Sequence, residues 1–206
     1  MTQDLHRISY KINEIFYSVQ GEGFYTGTPA VFIRFSGCNL KCPFCDTTHN
    51  DGELLTIKEM LAAIDKVCEG NRPTLVVLTG GEPTLWVDEW LCDILAQRFK
   101  VVAMESNGTR QPPKGVTFLT VSPKGDFVPG AELAVTDCDE LKLVYTGEND
   151  PAQWFEKIHA SHYYLQPCDT GDPEKNERIM ALTLDYIKAH PWWRLSLQTQ
   201  KIINVR

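Results

Sequence analysis

The sequence predicts an α/β fold whose largely parallel sheet curls into a partial barrel, and three observations lead there. Apolar runs rich in β-branched residues recur along the chain, helical patterns separate several of them, and two links in the middle are too broken to hold a helix. The runs fall at 30–37, 74–81, 100–106, 116–122, 140–146, 162–167 and 194–199. Of the helical patterns, 56–68 has Thr56 and Glu59 in capping-box spacing and sets Ile57, Met60, Leu61, Ile64 and Val67 on one face. Similar patterns cover 88–98, 151–160 and 173–190, the last two opening on proline, which suits a first helical position. By contrast, 107–115 carries two prolines and two glycines in nine residues, and 123–139 lacks helical period. The helical layer is therefore expected to thin in the middle of the sheet.

At 206 residues and 43% hydrophobic, the chain suits one domain, 1–206, with a substantial core. A formal charge of −7 argues against a broad nucleic-acid or anionic-membrane footprint, which needs clustered Lys and Arg, and favours a small-molecule partner. The first residues lack the apolar core of a signal peptide, and no run approaches the roughly 20 apolar residues of a membrane span, so a cytoplasmic location is expected. In that reducing setting, grouped cysteines point to metal or redox chemistry rather than disulfides.

Cys38, Cys42 and Cys45 form C-x3-C-x2-C directly after a strand ending at Gly37, on the side where α/β proteins place their sites. Thiolates suit zinc or iron–sulfur clusters. Three on a 4Fe-4S cluster leave one iron open for chemistry, whereas Cys38, Cys42, Cys45 and His49 together would make a closed zinc staple. On the cysteines alone both readings stand. The segment "TGGEP", 79–83, follows another buried strand; its glycines suit close backbone approach to a ligand and Glu82 suits acceptance from an amine.

Together these two motifs resemble the radical S-adenosylmethionine superfamily. The ordered series "FYSVQGEGFYTGTPAVFIRFSGCNLKCPFCDT", "TGGEP", "ESNG", "VSPK", "LQP" and "WRLSLQTQKIINV", running from residue 16 to 205, resembles the 7-carboxy-7-deazaguanine synthase family in particular. The resemblance implies a modified (βα)6 TIM-like barrel, a homodimer, and a radical lyase that turns 6-carboxy-5,6,7,8-tetrahydropterin into 7-carboxy-7-deazaguanine and ammonia in deazapurine (queuosine) synthesis. It implies an electron donor such as flavodoxin or ferredoxin. By the same resemblance Cys38, Cys42 and Cys45 ligate the cluster and Thr47 ligates magnesium. Phe44, Gly81, Glu105, Ser122, Pro123, Lys124, Gln166, Pro167, Cys168 and Asp169 contact S-adenosylmethionine. Val19, Gln20, Gly21, Glu22, Arg34, Thr79 and the carboxylate at Arg206 hold the pterin.

These roles make chemical sense. A pterin edge suits an acceptor such as Glu22, a substrate carboxylate suits the planar fork of Arg34, and magnesium prefers hard oxygens. The chain departs from the family at Gln200, where relatives carry histidine in Q-T-H-K. Cys68 and Cys92 fall in helical patterns and read as core, Cys168 as a packed or cofactor-lining thiol, and Cys138 as a loop cysteine without a named partner. Two other functions fit parts of the sequence. A glycyl-radical-activating enzyme shares the cluster and "GGEP" but does not call for "QGEG"; a zinc-stapled binding module accounts for the cysteines alone.

Overall fold

A computed structural model describes residues 9–206. Nine strands form one sheet: β1 (Ser9–Val19), β2 (Pro29–Phe35), β3 (Glu53–Thr56), β4 (Leu75–Gly80), β5 (Val101–Ser106), β6 (Phe118–Val121), β7 (Asp137–Tyr145), β8 (His159–Pro167) and β9 (Trp193–Leu195). Their spatial order is β3-β1-β2-β4-β5-β6-β7-β8-β9. The pairs β1·β2 and β1·β3 are antiparallel, and every pair from β2 to β9 is parallel. Because β3 and β9 do not meet, the sheet stays open, consistent with a partial barrel.

The helices are α1 (Ile57–Cys68), α2 (Glu89–Ala96), α3 (Pro151–Lys157), α4 (Pro173–Ala189) and α5 (Thr199–Ile202). The expected capping box at Thr56 and Glu59 is formed in both directions. Between β5 and β6, and between β6 and β7, there is no helix, as the broken links predict. Three expectations need correction and two strands add to them: Cys138, expected in a loop, lies in β7, because that strand begins at Asp137 rather than at 140. Strand β1, "SYKINEIFYSV", was not anticipated because only one side of it is consistently buried and its charges interrupt the apolar run. Four-residue β3 is too short to show a period, and its Leu54 lies exposed. Helix α3 stops at Lys157, since Ile158 turns extended to enter the core and His159 opens β8. The last strand ends at Leu195 rather than at 199, because the chain turns inward and Thr199 starts α5.

Strand periodicity decides what reaches the site. Successive side chains alternate faces, so Val31, Ile33, Val76, Leu78 and Met104 pack toward the helices with Met60, Ile64, Leu91 and Leu95. Ala30, Phe32, Leu75, Val77, Ala103 and Phe118 point the other way and form a separate apolar layer with Phe16. Continuing each strand by two residues on that inner face gives Arg34, Thr79, Glu105 and Thr120, and the register pairs Arg34 with Thr79, Glu105 with Thr120, and Thr120 with Glu140. The inner face is thus apolar at the start of the strands and polar at their C-terminal ends.

Candidate active site

Above the apolar inner layer opens a cavity of about 1200 Å³. Its floor is a connected charge network centred on Lys142, an inner-face residue of β7. The buried Lys142 Nζ donates to Glu22 Oε2 at 2.6 Å and to Glu105 Oε1 at 3.2 Å. Glu22 Oε1 accepts from Gln198 Nε2 and from Gln200 Nε2, both at 3.0 Å. Glu105 also accepts from Gln20 Nε2 at 3.2 Å and from Thr79 Oγ1 at 2.9 Å. Burial alone would push the Glu22 carboxyl up, but the Lys142 ammonium and the two amides hold it at about 2. Burial likewise opposes the charge on Lys142, and Glu105, Glu22 and Glu140 together hold it well above the usual lysine range. Glu140, which accepts from Phe24 N at 2.6 Å, is pushed up by burial.

The cysteine loop forms one wall. Gly81 N donates to Phe35 O at 3.1 Å and Glu82 N to Gly37 O at 2.9 Å, so the "GGE" turn is laced to the end of β2 from which the loop departs. A Cβ on Gly81 would stand 2.0 Å from Gly37 O. The close approach expected of these glycines is therefore to the loop's own backbone, although Gly81 also lines the cavity. Glu82 corrects the sequence reading more sharply. It is fully buried, and its carboxylate accepts from Thr84 N, Thr84 Oγ1, Ser106 Oγ and Asn107 N at 2.7 to 3.1 Å, leaving it committed within the protein rather than aimed at an amine.

Cys38, Cys42 and Cys45 all line the cavity. Among the described residues no three His, Cys, Asp or Glu side chains converge as ligands of a single ion. Lys124 lies between Ser122 and the thiols, its Nζ 2.6 Å from both Ser122 O and Oγ, and burial depresses its ammonium to about 8 despite the influence of Cys42. Burial also pushes the Cys38 and Cys42 thiols up.

The remaining expected residues gather at the same cavity with one exception. Val19, Gly21, Phe44, Ser122, Gln166, Pro167, Cys168, Asp169 and Arg206 line it, whereas Pro123 is buried outside the lining. Phe44 packs edge-on against Phe127. Gln166 Oε1 accepts from Ser196 Oγ at 3.0 Å. Arg34 Nε donates to Glu14 at 2.8 Å while Nη1 reaches Thr47 Oγ1 at 3.4 Å, so part of its fork is engaged inside the chain. The Arg206 guanidinium also pairs with Glu14, and its backbone O accepts from Ser18 Oγ at 2.6 Å. Asp169 is held at about 2 by Lys201, with help from Gly171 N and Asn176. Lys201 reaches Asp46 as well, at 3.2 Å, and thereby ties the cysteine loop to the segment after β8. Sequence reasoning missed Lys142, Gln198 and Lys201. For Lys142 a signal existed, since Glu140 and Lys142 stand at a spacing of two in the otherwise uncharged run 140–146.

The family described as "Radical SAM superfamily" matches residues 32–123, which run from within β2 to just past β6 and include both the cysteines and "GGE". A Bacteroides thetaiotaomicron protein named 7-carboxy-7-deazaguanine synthase is 50% identical over 95% of this chain and 98% of its own length. One of the same name from Nitratidesulfovibrio vulgaris is 39% identical over 96% of this chain and 100% of its own. The chain belongs to the 7-carboxy-7-deazaguanine synthase family. The crystal structure of Escherichia coli QueE agrees, with TM-score 0.71 and 27% identity over 93% of this chain and 94% of that one. It is thus a radical S-adenosylmethionine enzyme, a family that works with a 4Fe-4S cluster and S-adenosylmethionine. The residues present fit both. Three thiols face a cavity larger than most single-ligand sites, and two buried polar atoms of its lining residues, His49 Nδ1 and Gln200 Oε1, lack partners within the described protein.

Proposed function

We propose that the chain binds 6-carboxy-5,6,7,8-tetrahydropterin on the floor of this cavity and S-adenosylmethionine against its cysteine wall, and releases 7-carboxy-7-deazaguanine and ammonia. The observation that carries the reading is that three thiols and the polar ends of the inner strand face share one cavity. Cys38, Cys42 and Cys45 hold the cluster, and Phe44, Gly81, Glu105, Ser122, Lys124 and 166–169 hold the cofactor beside it. When bound, the cluster and S-adenosylmethionine would supply the radical chemistry that acts at substrate C6. Ionised Glu22 accepts the N–H edge of the pterin, an arrangement that places no donor against a donor. The free side of the Arg34 fork takes the substrate carboxylate, and Thr47, beside it, gives magnesium a hard oxygen. The apolar layer of Phe16, Phe32 and Phe118 closes the floor to water, which protects a reactive radical. Gly21 is pressed against Gln200, since a Cβ there would meet Gln200 Oε1 at 1.8 Å, so the loop carrying Glu22 cannot shift without the C-terminal segment.

We further propose that the whole chain acts as one radical core domain, in the cytoplasm, as a homodimer served by a flavodoxin- or ferredoxin-type donor. Among the described residues no helix is long and apolar enough to cross a membrane. The test is anaerobic reconstitution followed by assay with the carboxytetrahydropterin. About four irons per chain and formation of the deazaguanine product are expected. Stoichiometric zinc without visible absorption, or no product from a fully loaded enzyme, would overturn the proposal.

A further inference from the structure

The floor contains one cation whose position no substrate or cofactor role has yet explained. Lys142 is buried, and its ammonium bonds to Glu22 and to Glu105 at once. Facing it are three carboxylates, Glu22, Glu105 and Glu140, and its charge is felt by a second ammonium, Lys124 on the cysteine wall. Glu22 stands on the loop after β1 and Glu105 at the end of β5, so no backbone element joins the two directly. Lys142 and Gln20 supply the polar links between them: Gln20 Oε1 accepts from Glu22 N at 3.2 Å, and its Nε2 donates to Glu105.

We infer that Lys142 is a positioning residue that couples the pterin half of the cavity to the S-adenosylmethionine half. The inference rests on the assignment of Glu22 to substrate and Glu105 to cofactor. A ligand donor arriving at Glu105 competes with Lys142 for Oε1, which is already shared with Gln20. The ammonium then bonds more fully to Glu22 and fixes that carboxylate in the orientation the pterin edge needs. The cofactor thereby prepares the substrate site, and by linkage the substrate strengthens cofactor binding by the same factor. One ammonium between two carboxylates is also a bistable element, since it can lean toward either.

The experiment is equilibrium binding of 6-carboxy-5,6,7,8-tetrahydropterin to the anaerobically reconstituted enzyme with its cluster left oxidised, so that no turnover occurs, with and without saturating S-adenosylmethionine. Wild-type enzyme is expected to bind the pterin about fivefold or more tightly when the cofactor is present. In Lys142→Met that ratio should fall to about one, with pterin affinity lowered roughly tenfold or more as Glu22 loses its partner. Lys142→Arg, which keeps the charge, should recover part of the ratio. A lysine that merely supports the fold predicts the opposite pattern: a lower melting temperature in Lys142→Met with the ratio preserved, and that result would overturn the inference. A wild-type ratio of one overturns it without any variant, even if Lys142→Met does not fold. Pterin binding with no cofactor dependence sinks the coupling alone; no pterin binding by the loaded wild-type enzyme sinks the functional assignment and the coupling together.

Discussion

The floor and the cysteine wall of the cavity are built in opposite ways. On the floor, Glu22, Glu105, Lys142, Gln20 and Thr79 are bonded to one another, and beside it Glu82 has four protein donors. On the wall, residues 38–50 contain no helix or strand, Cys45 and Asp46 are exposed, and within the loop the one backbone bond is Cys45 N to Cys42 O; its other ties run outward, from Gly37 N to His49 O, from Asn39 to Thr109 and Asn107, and from Lys201 and Gln198 to Asp46. A floor that is already satisfied holds its shape without ligand, whereas a wall with few bonds of its own takes its final order from the cluster. Substitutions should therefore separate into those that cost folding and those that cost only chemistry.

The largest effect belongs to the wall. Cys38→Ala, Cys42→Ala or Cys45→Ala should abolish the visible iron–sulfur spectrum and activity. The unfolding free energy of the cluster-free chain should stay within about 0.5 kcal/mol of wild type. Unfolding of these variants would break the distinction. Cys68→Ala or Cys92→Ala, buried in the helix layer, should keep the cluster and lose stability instead.

Glu82→Gln is the converse. Its amide nitrogen cannot accept, so donors from Ser106, Thr84 or Asn107 lose their partner, at a cost of about 2 to 4 kcal/mol. For a chain of this size that lowers the melting temperature by roughly 5 to 15 °C. Cluster loss at unchanged melting temperature would place Glu82 with the wall after all.

Arg34→Lys should weaken pterin binding roughly ten- to a hundredfold, about 1.5 to 3 kcal/mol, while cofactor binding survives. A purely structural Arg34, paired to Glu14, predicts lost melting temperature with pterin affinity unaltered. Thr47→Ala should be milder still, removing magnesium stimulation and leaving the spectrum intact.

Acid sharpens the contrast at the smallest scale. The folded Glu22 value of about 2 lies below its ordinary 4.5, so its stabilisation is complete above pH 4.5 and is lost as pH falls from there toward 2. Melting of the cluster-free chain between pH 5 and 3 should show this decline, and Glu22→Gln should flatten it. An equal decline in the variant would assign the acid sensitivity elsewhere, with Asp169, after β8, the first alternative.

Local signals carried most of the fold. The capping box at Thr56, the prolines at Pro151 and Pro173 and the β-branched runs are each contained within a few residues, and all reappear as elements. The cysteine spacing and "GGE" located the wall for the same reason. What stayed hidden depended on distance. β3 exists because Ser9 to Ile12 of β1 lie beside it, the fate of Glu82 depends on Ser106 and Asn107, and Lys142 became a floor residue only through Glu22, 120 positions earlier. Glu140 and Lys142 in the otherwise uncharged run 140–146 were the one visible trace, because a buried strand tolerates charge only when a partner waits for it.

The strap formed by Gln198 to Lys201 has a temporal consequence. Gln198 Nε2 donates to Asp46 across 152 residues, and Thr199 N donates to Gly21 O at 3.0 Å. During synthesis the cysteine loop emerges long before the segment that latches it. Contacts of such separation close late in folding, because their loop entropy must be met before they contribute. For much of its translation the nascent chain therefore carries three unlatched thiols. That interval is when an iron–sulfur donor would have the freest approach, and when oxidants would too.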